Sequence, residues 1–317
     1  MEKRKLGRSG MEVAPLAFGG NVFGWTTDEQ RSHQLLDAFV GSGFNLIDTS
    51  DSYSRWAHGN QGGESETIIG TWLKKSGQRK NVLIATKVGS DMGLGRTCLT
   101  KQYILEEAEA SLCRLQTDYI DLYQTHFDDL STPVGETLEA YAQLIKEGKV
   151  RAIGASNLSK ERLLESLRFS KDNNLPRYET FQPEYNLYNR EQYEKEYEPI
   201  CREEELGVIN YFALASGFLT GKYRTAADET KSVRGDTIIE KYLNDRGLRI
   251  LAALDEIAKR HNTNQSSIAI AWLLTKPEIT APIASATSVE QLAELIQAVK
   301  LKLDPESLHM LNEASAY

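Results

Sequence analysis

Cysteine is scarce in this chain: Cys98, Cys113 and Cys201 are the only three among 317 residues. They share no metal-binding spacing, and an odd, scattered set suits a reducing cytoplasm rather than a disulfide framework. Histidine is also sparse, with five residues and no H-x-H or H-E-x-x-H arrangement, so no metal site is expected. No apolar run approaches the ~20 residues that span a bilayer. The first ten residues, MEKRKLGRSG, are charged where an export signal would be apolar. The expectation is therefore a cytoplasmic protein with no membrane partner. Positive charge is in deficit too: 37 Lys and Arg face 45 Asp and Glu, for a net −8. That balance argues against nucleic acid as a partner. Linkers rich in Pro, Gly or Ser are missing, so residues 1–317 are expected to form one domain.

What is present is a rhythm. Short apolar runs at 14–19, 44–48, 82–87, 120–126, 151–156, 180–182, 207–212 and 280–283 read as strands. Between them, 28–40, 65–75, 100–115, 133–146, 158–169, 190–204 and 248–261 read as amphipathic helices. Strand–helix alternation implies a parallel sheet, and eight strands without a linker favour a closed (β/α)8 TIM barrel. KRKLGRSGMEVAPLAFG precedes it as a β-hairpin turning at Arg8-Ser9-Gly10, placed to plug the barrel bottom. A polar stretch between Tyr211 and Leu248 is too long for an ordinary connection. Such long loops are usually functional, and on the C-terminal face this one is expected to be a lid.

NLIDTSDSY begins as a buried strand and ends in acid and hydroxyl groups. A lone strand-end aspartate is more often a turn former than a catalyst. Here, however, Asp48, Lys87 and His126 each close an apolar run and are spaced 39 residues apart twice over. That is about one barrel unit, so the three are expected at equivalent depth on adjacent strands. Tyr53 lies just beyond the first. A tyrosine is a poor acid near neutrality. A neighbouring ammonium lowers its pKa, a carboxylate keeps that ammonium charged, and a histidine can orient a substrate oxygen. The four together suit protonation of an oxygen while a cofactor attacks its carbon.

These residues, in this order, resemble the catalytic tetrad of the aldo-keto reductases. LGRSGMEVAPLAFGG, NLIDTSDSY with GGESE, SLCRLQTDYIDLYQTHFDD, RAIGASN, FQPEYN and LASGFLTGKY extend the resemblance along nearly the whole chain. It implies a (β/α)8 barrel that binds nicotinamide dinucleotide without a Rossmann fold, and no G-x-G-x-x-G follows the first strand here. By position it implies Tyr53 as general acid, Asp48 and Lys87 as its tuners, and His126 as the group orienting the carbonyl. Ser156, Asn157 and Gln182 would bond the nicotinamide carboxamide, and Tyr211 would stack on the ring. Gly20, Asn21, Leu214 and Leu219 would lie along the cofactor. Gly217, Gly221 and Lys222 of SGFLTGK would serve the pyrophosphate, the glycines by close backbone approach and the lysine by charge.

In PIASATSVEQLAEL the resemblance places Ser285, Thr287 and Gln291 at the adenosine end. Many members carry Arg or Lys at Thr287 and Asn at Leu295. A basic fork is the usual grip on a 2′-phosphate, so NADP(H) is favoured with NAD(H) possible. Amides after Ser288, or Arg224 from the lid, are the expected compensation. Phe23, Trp25, Trp56 and Phe127, with His58 nearby, are the candidates to line a pocket for a small-molecule carbonyl or alcohol. The expected function is a reversible aldehyde or ketone reductase. A regulatory subunit resembling potassium-channel β subunits, or a cofactor-free hydrolase or lyase, are the alternatives. Protein partners are not readable from these residues.

Overall fold

The computed structural model describes residues 2–317. It opens with an antiparallel hairpin, β1 (Arg4–Lys5) and β2 (Glu12–Val13). Eight further strands follow: β3 (Ala17–Gly19), β4 (Leu46–Asp48), β5 (Leu83–Val88), β6 (Ile120–Thr125), β7 (Val150–Ser156), β8 (Tyr178–Gln182), β9 (Gly207–Val208) and β10 (Ile283–Ala284). All pairs among these eight are parallel, in the order β10-β3-β4-β5-β6-β7-β8-β9. The ring closes where Thr280 N–H donates to Val208 O at 2.8 Å and Ile283 N–H to Asn210 O at 2.9 Å. The result is the (β/α)8 barrel expected.

Helices α1 (Glu29–Gly41), α2 (Glu64–Ser76), α3 (Lys101–Leu115), α4 (Val134–Lys146), α5 (Lys160–Asp172) and α6 (Glu198–Glu203) pack outside the first strands. Then come α7 (Gly235–Tyr242), α8 (Asp245–Arg260), α9 (Gln265–Leu274), α10 (Val289–Ala298) and α11 (Pro305–Ala314). Residues 193–197 form a wide π turn that runs into α6. Pro199 at the start of α6 has no N–H to donate to the turn before it, which is a recognised cause of such widening. Sequence periodicity missed α9 because Ser266–Leu273 is buried on every side and so has no polar face to mark a period.

Strand alternation sorts the side chains. Ala17, Leu46, Ala85, Leu122, Ala152, Ile209 and Ala281 point into the barrel, where they share one cluster with Leu6, Met11 and Val13 of the hairpin. The hairpin therefore does fill the barrel bottom. Outward residues such as Ile47, Ile84 and Tyr123 pack under the helices. Two residues beyond Leu46, Ala85 and Leu122, the same inward face carries Asp48, Lys87 and Gln124.

Register corrects one expectation. Asp48 pairs with Ala85 and Lys87 with Gln124, so Lys87 and His126 each lie two residues past their neighbour's level. Strand tilt absorbs part of that offset, and the three side chains climb toward the mouth instead of sharing one depth.

Helix packing is tight at Gly70 of α2, where a Cβ would sit 2.1 Å from Arg114 O at the end of α3. Alanine there gains about 1 kcal/mol of helix propensity but must push two backbones apart, at a cost of about 1–3 kcal/mol or more. Gly70→Ala is expected to lower the thermal midpoint, read by circular dichroism; an unchanged or higher midpoint would refute this contact.

Candidate active site

The Lys87 ammonium is fully buried, and its three protons find three acceptors: Asp48 Oδ2 at 2.7 Å, Thr49 O at 2.7 Å and Tyr53 OH at 3.1 Å. Asp48, 2 % exposed, accepts further bonds at Oδ1 from Gln182 Nε2 at 2.9 Å and Gln124 Nε2 at 3.3 Å. The pair is thus held from all sides, as a buried ion pair must be. Because Lys87 donates to the phenol oxygen, the phenolic proton of Tyr53 is directed away from the lysine. The Tyr53 loop is itself anchored: Ser54 Oγ donates to Phe23 O at 2.6 Å, and Ser65 N–H at the start of α2 to Tyr53 O at 3.2 Å.

Burial pulls the Lys87 ammonium down, but Asp48 and Tyr53 outweigh it, and its pKa is raised overall. For Tyr53 the balance corrects the expected lowering. Burial lifts the phenol, Lys87 opposes it, Asp48 adds to the lift, and the net direction is up. Lys87 therefore limits a rise instead of producing a depressed pKa. His126 is held well below its ordinary value, first by burial and then by the Lys87 charge, so its ring is neutral. Its ring lies 5.9 Å from that of Tyr53, centroid to centroid, and it stacks on Phe127 at 4.6 Å.

Ser156, Asn157, Gln182 and Tyr211 meet one strand further round. Asn157 has φ +51°, which turns it off the end of β7. Its Nδ2 donates to His126 O at 2.9 Å, and its Oδ1 accepts from Tyr211 OH at 2.9 Å. Ser156 Oγ donates to Gln182 O at 2.8 Å. Ser159, not Ser156 or Asn157, caps α5. Gln182 Nε2 is occupied by Asp48, so this residue supports the ion pair as well as facing the mouth.

The aromatic candidates divide. Phe127 and Trp56 are 41 % and 51 % exposed, and Trp56 contacts both Tyr53 at 5.5 Å and Trp25 at 5.7 Å. Phe23 is fully buried and stacked on Phe18, so the structure places it in the core instead of the mouth. His58 is exposed in the same loop as Trp56. The long stretch after β9 is folded, with Phe218, Tyr223, Ile238 and Tyr242 as its own buried anchors. From it the Arg234 guanidinium reaches to 5.2 Å above the Trp25 ring.

Within that stretch Leu214 is partly buried and Leu219 fully buried, and Gly217 adopts φ +98°, open to glycine but strained for other residues. Lys222 lies beside Gly217 and forms no ion pair among the described residues, while Gly221 ends the turn at φ +79°. Arg224, by contrast, is bound to Asp255 Oδ1 at 2.6 Å and Gly221 O at 2.8 Å, so the expected compensating cation is already engaged. Gly20 has no room for a Cβ beside Ser65 Oγ, at 2.8 Å. Asn21 Oδ1 accepts from Ser285 Oγ at 2.6 Å, tying β3 to β10. Gln291 Oε1 accepts from both Thr287 N–H and Thr287 Oγ1, at 3.0 and 3.1 Å. Ser288 caps α10, and Leu295 is buried.

Gln124, Ser50, Asp51 and Ser90 join the site although sequence reading passed over them. A glutamine inside the apolar run IDLYQT was the available signal, since its phase with Leu122 points it inward. A cavity of about 670 Å³ opens beside Asn157 and Tyr211, lined also by Phe181, Pro183, Glu184 and Tyr197. Asp48, Tyr53 and Lys87 do not line it.

Residues 15–316 match the model of the aldo/keto reductase family. The chain is 36% identical, over 99% of its length and 95% of the relative's, to the uncharacterized oxidoreductase YrpG of Bacillus subtilis. It is 30% identical to Protein tas of Escherichia coli, covering 97% and 96% of the two chains. A probable voltage-gated potassium channel subunit beta of Arabidopsis thaliana is 31% identical, over 94% and 91%.

Proposed function

The chain belongs to the aldo/keto reductase family, and from that premise we propose that it reduces aldehydes and ketones reversibly, with NADP(H) as hydride carrier and Tyr53 as proton donor. One observation carries this reading: the buried Lys87 spends its third proton on Tyr53 OH, leaving the phenolic proton for a substrate oxygen. The bound cofactor would supply the hydride to the carbonyl carbon. As that carbon is reduced, Tyr53 gives its proton to the oxygen, and Lys87 stabilises the phenolate left behind. His126, neutral, donates a hydrogen bond that holds the oxygen in line. In the reverse direction the phenolate takes the alcohol proton. Trp25, Trp56 and Phe127 would bound the substrate, and the whole chain would act as one cytoplasmic domain.

The residues present fit a nicotinamide dinucleotide. Tyr211 offers a ring whose hydroxyl is fixed by Asn157, and Ser156 and Asn157 offer polar atoms beside it. The left-handed turn around Gly217 brings backbone close to the unpaired Lys222, a combination suited to pyrophosphate.

Cofactor choice depends on the Thr287 region. Its N–H and hydroxyl can each give a charge-assisted bond worth about 1.5–3 kcal/mol to a 2′-phosphate. Both are now held by Gln291, which such a phosphate must displace, and Arg224 is committed to Asp255. NADPH is therefore expected to bind more tightly than NADH by only about tenfold, or ~1.4 kcal/mol. Thr287→Arg should widen the margin. Fluorescence titration decides it: equal or better affinity for NADH in wild type would mean that this loop does not grip a phosphate.

A second reading, a cofactor-binding regulatory subunit, is favoured by the potassium-channel β relative. The complete proton-donor set argues for turnover. Incubation with NADPH and a panel of carbonyls, followed by nicotinamide absorbance, separates the two; binding without any oxidation of NADPH would favour the regulatory reading.

A further inference from the structure

Carbonyl reduction uses His126 at Nε2, where no hydrogen bond is made among the described residues. Its other nitrogen faces inward onto two hydroxyls. Ser90 Oγ lies 2.9 Å from Nδ1, and Ser50 Oγ lies 3.0 Å from it. A neutral imidazole carries one proton, and which nitrogen holds it decides whether Nε2 donates or accepts.

The two hydroxyls make opposite demands. Ser50 Oγ donates its single proton to Asp51 Oδ1 at 2.8 Å, receives the Ser52 N–H at 3.3 Å and lies 3.0 Å from the Ser52 hydroxyl, whose own proton goes to Ser90. Toward the ring it can offer only a lone pair, which favours a proton on Nδ1. Ser90 Oγ receives the Ser52 hydroxyl at 3.2 Å. Its own proton has no acceptor among the described residues other than Nδ1 and Ser52, and Ser52 is already donating to it. Ser90 therefore favours a bare Nδ1 and a proton on Nε2.

Asp51 is what makes the two serines unlike. It is fully buried, and its Oδ2 finds no hydrogen-bond partner among the described residues. Burial, reinforced by Glu66, pushes this carboxyl up to about 8. Whether or not Oδ2 carries a proton, Oδ1 still accepts from Ser50.

We propose that Ser50 and Ser90 are opposed positioning residues that poise His126 between its two neutral tautomers. With the proton on Nε2 the ring donates to a carbonyl oxygen. With the proton on Nδ1, given to Ser50, Nε2 has only a lone pair, and it cannot hold a carbonyl oxygen or the oxygen of an alcohol whose one hydroxyl hydrogen goes to Tyr53. The change relocates one proton by exchange with solvent at the mouth and leaves the charge of the ring unaltered. Reduction and its reverse pass through one transition state, so both need the Nε2–H tautomer, and the two serines set the fraction of rings that carry it. The role in substrate binding rests on the carbonyl reading above, but the tautomer balance itself does not.

The test uses Ser90→Ala and Ser50→Ala in protein labelled with ¹⁵N-histidine, the His126 signals being assigned by their loss in His126→Asn. Ser90→Ala should move the proton toward Nδ1 and Ser50→Ala toward Nε2, a pair of opposite shifts that a merely structural role would not produce. Turnover should follow. Ser90→Ala should lower kcat/KM for reduction and for oxidation alike and Ser50→Ala should raise both, with kcat/KM differing about tenfold or more between the variants, as a hydrogen bond gained or lost implies. The overall equilibrium constant cannot change, so the two directions must move together. Unchanged tautomers, or shifts in the same direction, overturn the inference without any substrate being involved. Opposite tautomer shifts with kcat/KM unmoved in both directions overturn its substrate half, while the carbonyl reading itself stands or falls on Tyr53→Phe.

Discussion

Replacing Tyr53 by Phe should lower aldehyde turnover by ~10²–10⁴, the usual contribution of a general acid, with folding and cofactor affinity nearly unchanged. The reason lies in how little else the hydroxyl does. Its one hydrogen bond in the structure is received from Lys87 at 3.1 Å, and the ring contacts to Trp56 and His126 survive in phenylalanine. Lys87 keeps Asp48 and Thr49 O as acceptors, so the buried ammonium is not orphaned. Stopped-flow reduction at saturating NADPH isolates the chemical step. Wild-type turnover in Tyr53→Phe would remove the proposed mechanism.

Lys87→Met should be costly in a different way. It leaves the Asp48 carboxylate buried with only two glutamine amides, and breaking one side of a buried ion pair typically costs about 3–5 kcal/mol. The thermal midpoint should fall by roughly 10 °C, at about 2–4 °C per kcal/mol for a domain of this size. Removing both charges in Asp48→Asn/Lys87→Met should restore much of that stability, since a pair deleted together leaves no lone buried charge. Activity should not return. The lysine also restrains a phenol that burial already lifts. Without it the phenol pKa rises further, the proton-donating form persists to higher pH, and the alkaline limb of the reduction profile moves up. A pH–rate profile of Lys87→Met that overlays wild type would show that Lys87 does not tune Tyr53.

Several of these groups were legible in the sequence because their chemistry follows from local pattern. Apolar runs such as FNLID, VLIATK and IDLYQTH can be little else than buried parallel strands. Polar residues at their ends must then lie at a barrel mouth. Asp48, Tyr53, Lys87 and His126 were found in that way, and the hairpin before β3 by its turn residues. The helix α9 was not, because a segment buried on all sides loses the period that marks a helix.

What periodicity determines is which way a side chain points along its own strand; how far neighbouring strands slide past each other is decided only when the barrel closes. Register set Asp48 against Ala85 and Lys87 against Gln124, so the three groups climb the mouth, and it brought Gln124 and Gln182, from distant strands, onto one carboxylate. Burial, equally invisible in a linear chain, reversed the expected direction for Tyr53, sent Phe23 into the core, and tied Arg224 to Asp255. Residue types and spacings name the groups available to a site. Their pairing and solvation depend on contacts between segments far apart in sequence, and only the folded barrel supplies those.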